Sequence, residues 1–335
     1  MTILLNEEEV SQLISFQDCI KAVESGFEQL GMGKAQTKPR REVRIRGKEL
    51  SHADPRMVRV AQGLAYSEHL GVALLHHILS FPKGRRPSMR VINYLIDDKE
   101  GDVLAIVESK NLLAMRTGAA GAVGAKYLSK KDSKIAGIVG TGRQGRTQLR
   151  FLTEVRSIKK AYVYDQNKDY SDRFAEEMSK ELGMDITASD NVKSVVINSD
   201  ILVTATPSMN PYVKADWLNQ GILVTIIGAD DPPKIELEGN ALKKADKLVI
   251  MSDDSFLAGQ IKIPLEKGEI SEKDIYAELG EIVIGDKPGR ESDDEIIVYH
   301  NPGMTLLDLV SVNMVYQKAK KRGLGKEVSD PFITK

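Results

Sequence analysis

The sequence has very little cysteine and no excess of charge of either sign. Cys19 is the only cysteine among its 335 residues, so an intrachain disulfide is excluded. Its 47 lysines and arginines nearly balance 48 aspartates and glutamates, which leaves a formal net charge of −1. A balance this even provides no large basic field of the kind that binds nucleic acid.

Long apolar segments are missing as well. No uninterrupted apolar run approaches the roughly 18 residues that indicate a transmembrane helix, so we expect no membrane span. The first residues, Met1–Glu9, have neither the basic start nor the apolar core of a secretory signal. These absences predict a cytoplasmic protein, and the chain is long enough for two domains with separate cores.

The most informative stretch, Ile135–Leu149, is rich in glycine. An apolar run leads into a Gly-x-Gly-x-x-Gly sequence at Gly140, Gly142 and Gly145, and a helical pattern follows. This order of strand, tight turn and helix is typical of a dinucleotide-binding unit. The three glycines allow the turn, the approach of a pyrophosphate and the close packing of the helix. The N–H groups of the first helical turn would face the phosphates.

An acidic residue supports this interpretation. Asp165 follows the next predicted strand, Lys160–Tyr164, slightly beyond the spacing of about 20 residues at which the fingerprint places its ribose-binding acid. A carboxylate there accepts a hydrogen bond from a ribose 2′-hydroxyl and repels a 2′-phosphate, which favours NAD(H). NADP(H) is the less favoured alternative, because Arg143 and Lys168 lie near in the sequence.

From Lys134 onward, apolar strands alternate with helical patterns, which predicts a parallel, doubly wound sheet. The ligands of such sheets bind at the carboxyl ends of the strands. One of those ends carries Asp230, an acid suited to proton transfer beside a nicotinamide, although a turn before Pro232 would suit an aspartate equally well. The predicted strands are Lys134–Val139, Lys160–Tyr164, Asp200–Ala205, Ile222–Ile227 and Lys247–Met251.

The preceding part of the chain has the pattern of an antiparallel sheet. Within it, His76 and His77 point to opposite faces, because strand residues alternate, and a structural role is the more typical one for each. A capping box at Ser15–Asp18 begins a helix, and a final amphipathic helix, Leu306–Lys321, is expected to pack back on this part. The predicted strands are Met57–Ala65, Gly71–Phe81, Met89–Ile96 and Val103–Val107.

Two features of this part are suited to anion binding. The segment Lys38–Arg46 carries five basic residues, which fits a solvated edge strand and a carboxylate site equally well. The predicted helix Ser109–Leu128 is rich in alanine and glycine, so another helix or a ligand can approach it closely. Arg116 lies in this apolar setting, which favours a charge with a partner over an exposed one.

Six short motifs are spread along nearly the whole chain: Met115–Ala120, Val139–Gly145, Val203–Ser208, Gly228–Asp230, Glu278–Glu281 and Pro302–Asp308. Taken together, they resemble the ornithine cyclodeaminase/mu-crystallin family. Members of that family are NAD(P)-dependent and include cyclodeaminases, alanine dehydrogenases and cyclic ketimine reductases.

The resemblance implies an α/β fold in two domains and a homodimer. A Rossmann domain with a doubly wound parallel sheet would span residues 129–304. A split α+β domain for substrate binding and dimerisation would span residues 1–128 and be completed by residues 305–335. The expected cofactor is NAD, and no metal is expected. The implied cofactor-binding residues are Thr117, Gly140, Thr141, Gly142, Arg143, Gln144, Gly145, Asp165, Thr204, Ala205, Thr206, Ser208 and Gly228.

The resemblance also implies roles for single charged residues. Arg116 matches the family arginine that binds the substrate carboxylate, and Asp230 matches the acid beside the substrate amine. The family has a further arginine in its first domain, which matches Arg41 best and Arg44 next. These residues would hold a small amino or imino acid by its carboxylate and its nitrogen.

One family residue is missing from the expected position. A lysine near the substrate follows a Gly-Val or Gly-Leu pair in the family, and Ala73 follows Gly71-Val72 here. His77 is the substrate-binding candidate to compensate for it, with His76 and Arg85 as alternatives. The departure puts the ordinary substrates of the family in question.

The resulting hypothesis is an NAD(H)-dependent oxidoreductase that transfers a hydride to and from the α-carbon of a small amino or imino acid. Arg116 and Arg41 would orient the carboxylate, and Asp230 would stabilise the protonated imine and move its proton. Two alternatives stay open. One is an ornithine cyclodeaminase-type ammonia lyase with internal NAD recycling, and the other is a non-catalytic, crystallin-like binding protein.

Overall fold

The computed structural model describes residues 1–46, 58–81 and 89–329, which form two compact units. The first unit comprises Met1–Arg116 and the segment from Met304 onward, and the second comprises Thr117–Gly303. The border falls inside one helix, Lys110–Leu128, whereas the bounds expected from the family resemblance lie at the end of that helix. A continuous helical pattern contains no signal that would divide it.

The elements are named in chain order. The strands are β1 Thr2–Leu5, β2 Ala35–Arg46, β3 Val58–Ser67, β4 Val72–Ser80, β5 Met89–Asp97, β6 Val103–Glu108, β7 Ile135–Val139, β8 Lys160–Tyr164, β9 Asp185–Ala188, β10 Ile201–Thr204, β11 Leu223–Ile226, β12 Lys247–Ile250, β13 Ile275–Glu278, β14 Ile297–His300 and β15 Lys326–Val328. The helices are α1 Glu7–Leu13, α2 Phe16–Gly31, α3 Lys110–Leu128, α4 Arg143–Val155, α5 Lys168–Leu182, α6 Val192–Ile197, α7 Gly239–Lys243, α8 Gly259–Glu266, α9 Leu279–Val283 and α10 Thr305–Arg322.

The first unit is built on one seven-stranded sheet, in the order β15-β1-β6-β5-β4-β3-β2. Strands β2 to β6 are antiparallel neighbours, and β1 joins them parallel to β6. Burial alternates along the strands, as a sheet covered on one face requires. In β4, His76 and Ile78 are buried, whereas Leu75 and His77 are half-buried. Helix α10 packs on β2 to β5 and covers the buried face.

Helix α2 packs against α10 at close range. Its N-cap is Ser15, which accepts a hydrogen bond from the backbone N–H of Asp18, where the sequence predicted a helix start. A Cβ on Gly26 would lie 3.2 Å from Val310 of α10, so the glycine lets the two helices approach. Cys19 is buried in the same helix, and burial raises the pKa of its thiol to about 12. The thiol is therefore a packing group.

The second unit contains an eight-stranded sheet in the order β13-β12-β14-β11-β10-β7-β8-β9. Each pair of neighbours in it is parallel, which confirms the predicted doubly wound sheet. Strand β7 lies between β8 and β10, so the strand order reverses there, and such a switch point is where nucleotides bind. The residues of β10, β11, β12 and β14 are all buried, because helices cover both faces of such a sheet.

Two strands of this sheet were not predicted from the sequence pattern, and a third, predicted at Ile296–Tyr299, takes a place in the sheet that the pattern did not indicate. Strands β9 and β13 have four residues each and were not predicted, since so short a run gives little periodicity. Strand β14 inserts between β11 and β12, a position that depends on pairing alone. Within the described part of the chain, no helix is both long and apolar enough to cross a bilayer.

The glycines of helix α3 let another helix approach it, as their number predicted. A Cβ on Gly118 would lie 2.4 Å from the ring of Phe151, and one on Gly121 would lie 2.0 Å from Oε1 of Gln148. Both neighbours belong to α4, and Nε2 of Gln148 also donates to the carbonyl of Thr117 at 2.9 Å. Helix α4, which follows the glycine-rich turn, is thereby fixed against α3.

Replacing Gly118 with valine should therefore destabilise the second unit. The new side chain would overlap Phe151, which is fully buried and has no free space to move into. We expect a loss of about 1–3 kcal/mol in the free energy of unfolding, the usual cost of overpacking. Urea denaturation measures it. Lys126→Val places the same side chain on an exposed position of α3 and should cost less than about 1 kcal/mol; equal losses in the two variants would contradict the packing argument.

Candidate active site

The glycine-rich turn after β7 has the geometry that a dinucleotide requires. Gly140 has φ +98°, and a Cβ there would lie 2.5 Å from the carbonyl oxygen of Ala205. A Cβ on Gly145 would lie 2.1 Å from the carbonyl oxygen of Gly140, so α4 starts directly against the turn. A Cβ on Gly142 would have no atom within 4 Å, which leaves open space on that side of the backbone. Each glycine therefore has a distinct role, as its spacing predicted.

The start of α4 fits a pyrophosphate. Its N-cap is Gly142, which provides no side-chain acceptor for the N–H groups of the first turn. Arg143 and Gln144 follow in that turn, and Arg143 is exposed. Backbone N–H groups at the positive end of a 13-residue helix form a site for phosphate oxygens. A bound dinucleotide would be held here by its phosphates.

Asp165 is held beside the same turn. Its Oδ2 accepts hydrogen bonds from the backbone N–H of Thr141 at 3.0 Å and from the Thr141 hydroxyl at 2.9 Å. Its Oδ1 accepts from the backbone N–H of Asn167 at 3.0 Å. The carboxylate is thus oriented at the carboxyl end of β8, where a ribose hydroxyl would meet an acceptor. Lys168 lies 3.6 Å from Asp172 and 3.4 Å from Asp190, which offsets its charge.

A buried glutamate that the sequence analysis missed connects the ends of two central strands. Oε1 of Glu236 accepts from the Thr206 N–H and hydroxyl and from the Tyr212 hydroxyl, each at 2.7 Å. Its Oε2 accepts from the Thr204 hydroxyl at 2.9 Å and from the Gly228 N–H at 2.8 Å. The five donors include three residues of the predicted cofactor site. Glu236 therefore holds the turns after β10 and β11 in one arrangement.

This network requires an ionised carboxylate. Burial raises the pKa of Glu236 above its ordinary value, and the hydrogen bonds from Thr206, Tyr212 and Thr204 oppose that rise. Each carboxylate oxygen accepts from a backbone N–H, of Thr206 or of Gly228, and a backbone N–H can only donate. The only signal in the sequence is an acid between two apolar residues, Ile235 and Leu237, which indicates a buried charge but not what it binds.

Asp230 follows β11 at the same edge of the sheet. Its carboxylate is partly exposed and accepts from Nζ of Lys234 at 2.6 Å. The neighbouring residue, Ala229, has its carbonyl oxygen 3.4 Å from Nε2 of His300 at the end of β14. Burial lowers the pKa of His300 to about 4, so the ring is neutral near pH 7. The edge thus combines the carboxyl group of Asp230 with a neutral imidazole.

In the first unit, a second group of polar residues is buried between the sheet and α10. Nε and Nη2 of Arg116 donate to the two carboxylate oxygens of Asp308, at 3.0 and 3.1 Å. Both side chains are almost fully buried. Nδ1 of His76 lies 3.9 Å from Asp308 Oδ1 and 2.8 Å from Asn93 Oδ1. Arg116 therefore has the charged partner that its apolar setting predicted.

Arg40 completes this charged cluster of Arg40, His76, Arg116 and Asp308. Gly63 pairs with His76 across the sheet, and a Cβ on Gly63 would lie 3.2 Å from Cγ of Arg40. Burial opposes ionisation of Asp308, but Arg116, His76 and Arg40 together hold the pKa of its carboxyl below the ordinary value. The cluster therefore contains an ionised carboxylate flanked by guanidinium groups.

Two of the predicted substrate-binding residues do not join the charged cluster. Arg41 is exposed on β2, after an irregularity in its pairing with β3, and its neighbour Arg40 approaches the cluster instead. His77 packs edge-on against the ring of Tyr94, with 5.6 Å between centroids, on the sheet face opposite His76. One position along a strand reverses the face, so neither outcome could be read from composition.

The alternation of strand residues also determines which sheet face Ala73 occupies. Ala73 is half-buried and alternates with Leu74 in β4, so it lies on the face of His77. A lysine there would point away from Arg116 and Asp308, and its absence removes nothing from the charged cluster. His76, three residues further on, occupies the helix-covered face. The side chain of Arg44 and the whole of Arg85 lie outside the described residues.

Replacing Glu236 with glutamine should weaken NADH binding. The amide would present an NH₂ group to donors from Thr204 and Gly228 or from Thr206, so the turns around the cofactor would lose their arrangement. We expect the dissociation constant for NADH to rise about tenfold or more, which corresponds to one lost buried hydrogen bond. NADH fluorescence titration measures it. Glu238→Gln makes the same change two residues on, and a similar loss there would count against the network.

The chain is similar over nearly its whole length to known proteins of one family. The family model described as "Ornithine cyclodeaminase/mu-crystallin family" matches residues 1–323. An alanine dehydrogenase of Archaeoglobus fulgidus is 34% identical over 332 residues, 98% of each chain. The structure of Thermococcus litoralis Δ1-pyrroline-2-carboxylate reductase with NADH and L-proline is 36% identical, with a TM-score of 0.89, and covers 97% of this chain and 100% of its own. An archaeal alanine dehydrogenase dimer with bound NAD is 31% identical, with a TM-score of 0.88, over 98% and 99% of the two chains. The chain belongs to the ornithine cyclodeaminase/mu-crystallin family.

Proposed function

We propose that this protein is an NAD(H)-dependent oxidoreductase acting on the CH–NH or CH–NH₂ group of a small amino or imino acid. The observation that carries the proposal is the buried charged cluster, found in a chain whose other unit has a complete dinucleotide turn. When bound, NADH supplies a hydride to the α-carbon of the imine, and NAD⁺ takes it back from the amino acid. Relatives that reduce pyrroline-2-carboxylate or oxidise alanine have this chemistry.

The charged cluster supports a carboxylate-bearing substrate. Arg40 and Arg116 contribute two positive charges, and Asp308 contributes one negative charge. The pair of Arg116 and Asp308 orients the guanidinium, because a bidentate contact fixes its plane. A substrate carboxylate beside the two guanidinium groups would be stabilised by their positive charge. In this proposal Arg40 takes the part that the sequence analysis assigned to Arg41.

Asp230 is the proposed proton carrier. Its carboxylate accepts a hydrogen bond from Nζ of Lys234, and a negative charge at this position would stabilise a protonated imine. The same carboxylate accepts a proton from the amine nitrogen when the amino acid is oxidised.

Asp165 supports NAD(H) over NADP(H), because a fixed carboxylate repels a 2′-phosphate. A homodimer is proposed as the working assembly.

The uncovered face of the sheet in the first unit supports that dimer. Leu64 is 44% exposed on this face, and Leu75, Leu79 and Ile92 are only half-buried beside it. A sheet face this apolar requires a partner surface in water. The alanine dehydrogenase neighbour is a dimer. We propose that two copies of this chain bury these faces against each other.

Replacing Asp230 with asparagine should stop turnover and leave cofactor binding near normal. The amide can neither stabilise the protonated imine nor move its proton, so kcat should fall about 10²- to 10⁴-fold. The assay follows NADH absorbance with L-alanine or L-proline and NAD⁺, and NADH titration reports binding. Ammonia release from ornithine without net NADH would instead identify a cyclodeaminase. Unchanged turnover in the variant would refute the role of Asp230.

Replacing Leu75 with arginine tests the dimer. A buried charge on the uncovered sheet face would oppose association, so light scattering should show monomers where the unmodified protein is a dimer. His69→Arg adds the same charge at an exposed turn and should leave the dimer intact. An unmodified protein that is monomeric at micromolar concentration would contradict the proposal.

A further inference from the structure

His76 has an unpaired polar atom in the middle of the first unit. The side chain is fully buried, and no group of the described residues forms a hydrogen bond with its Nε2. A buried polar atom without a partner costs about 1–3 kcal/mol, and native structures rarely retain one without a reason. Thr305 lies over Gly63, the pairing partner of His76, and its hydroxyl is unpaired too. The first unit thus has two buried polar groups without a partner close together, on its helix-covered sheet face.

The neighbours of His76 determine which ring nitrogen carries the proton. Nδ1 lies 2.8 Å from Oδ1 of Asn93, and the amide nitrogen of Asn93 donates to the hydroxyl of Ser109. Asp308 Oδ1 lies 3.9 Å from the same Nδ1. Two oxygen acceptors on one side of the ring favour an Nδ1–H that donates to them. In the neutral ring, Nε2 therefore has a lone pair and can only accept.

The charges around His76 favour its neutral form. The charged groups that act on it are Asp308 from α10, Arg116 from α3 and Arg40 from β2. Burial lowers the pKa of His76 below its ordinary value, the two arginines lower it further, and Asp308 and Asn93 oppose them. The pKa of His76 is thus lowered mainly by burial, and the neutral ring is the form that its surroundings favour.

We propose that His76 is a substrate-binding residue whose Nε2 accepts a hydrogen bond from an N–H donor of the amino or imino acid. This inference rests on the proposed function, because it places the substrate carboxylate with Arg116 and Arg40. A lysine at this place would bind an anionic group, whereas a neutral histidine selects a donor. The protein would then discriminate amino and imino acids from 2-oxo acids, which have no N–H to donate.

Three substitutions of His76 show whether the substrate group that faces Nε2 is an N–H donor or an anion. His76→Leu removes the acceptor, His76→Gln retains an acceptor oxygen, and His76→Lys introduces a cation. With L-alanine and L-proline as probes and saturating NAD⁺, His76→Leu should raise KM for the amino acid about tenfold or more, one lost buried hydrogen bond. His76→Gln should raise it less, and His76→Lys should be no better than His76→Leu. KM for NAD⁺ should stay unchanged in all three.

A matched control and a folding measurement accompany these variants. His69→Gln makes the same chemical change in an exposed turn and should leave KM unaltered. Thermal unfolding and NADH titration show whether each variant is folded. The proposal is overturned if His76→Lys retains the original KM, since an anionic group would then face Nε2. It is also overturned if folded His76→Leu has an unchanged KM.

The pH profile provides a readout that a purely structural histidine would not change. Protonation of Nε2 removes its lone pair, so KM for the amino acid should rise as the pH falls through the pKa of His76, below the ordinary histidine range. The rise should be missing in His76→Gln. A profile that is identical in the two proteins contradicts the proposal.

The tautomer can be tested without any turnover. Ring ¹⁵N signals of His76 can be assigned by their loss in His76→Gln. At a pH where the ring is neutral, they should show a protonated Nδ1 and an unprotonated Nε2. An Nε2–H tautomer overturns the inference whatever the substrate. Absence of turnover with every amino acid tested would instead reject the proposed function, so the two failures are distinguishable.

Discussion

The pair of Arg116 and Asp308 connects the chemistry of the first unit with its architecture. Burying two charges is costly unless their geometry is good, and removing one partner leaves the other uncompensated in the interior. Here both guanidinium contacts are about 3 Å long and the partners belong to helices far apart in the chain. The last helix must therefore return to the sheet of the first unit for Arg116 to be paired. The same contact orients the guanidinium that we propose for substrate binding.

The second unit uses neutral backbone groups for most of its binding capacity. Gly140 and Gly145 bring a strand and a helix so close that side chains would overlap, and Gly142 leaves open space where phosphates would lie. Glu236 adds a buried charge, and its hydrogen bonds go to the turns after β10 and β11. A carboxylate that accepts from five donors explains how the turns at the ends of β10 and β11 are held in one arrangement.

Sequence reasoning succeeded where the chemistry is local and failed where it depends on pairing. The role of each glycine follows from its spacing, and Arg116 was correctly expected to be paired. The sequence analysis named Arg41 and, before His76, His77, whereas Arg40 and His76 lie in the charged cluster, each a single position away. The sheet face of a strand residue depends on the register of pairing. An irregularity in β2 shifts that register, and no feature of the sequence predicts the irregularity. Glu236 was missed because its partners come from two separate strand ends, those of β10 and β11.

The sequence by itself determined the parallel sheet, the nucleotide turn and the family, because apolar periodicity and glycine spacing act over a few residues. Tertiary structure alone decided that Asp308 pairs with Arg116 and that His76, not Ala73 or His77, faces them. Those contacts join residues far apart in the chain, and their free energy depends on burial, which no local pattern encodes.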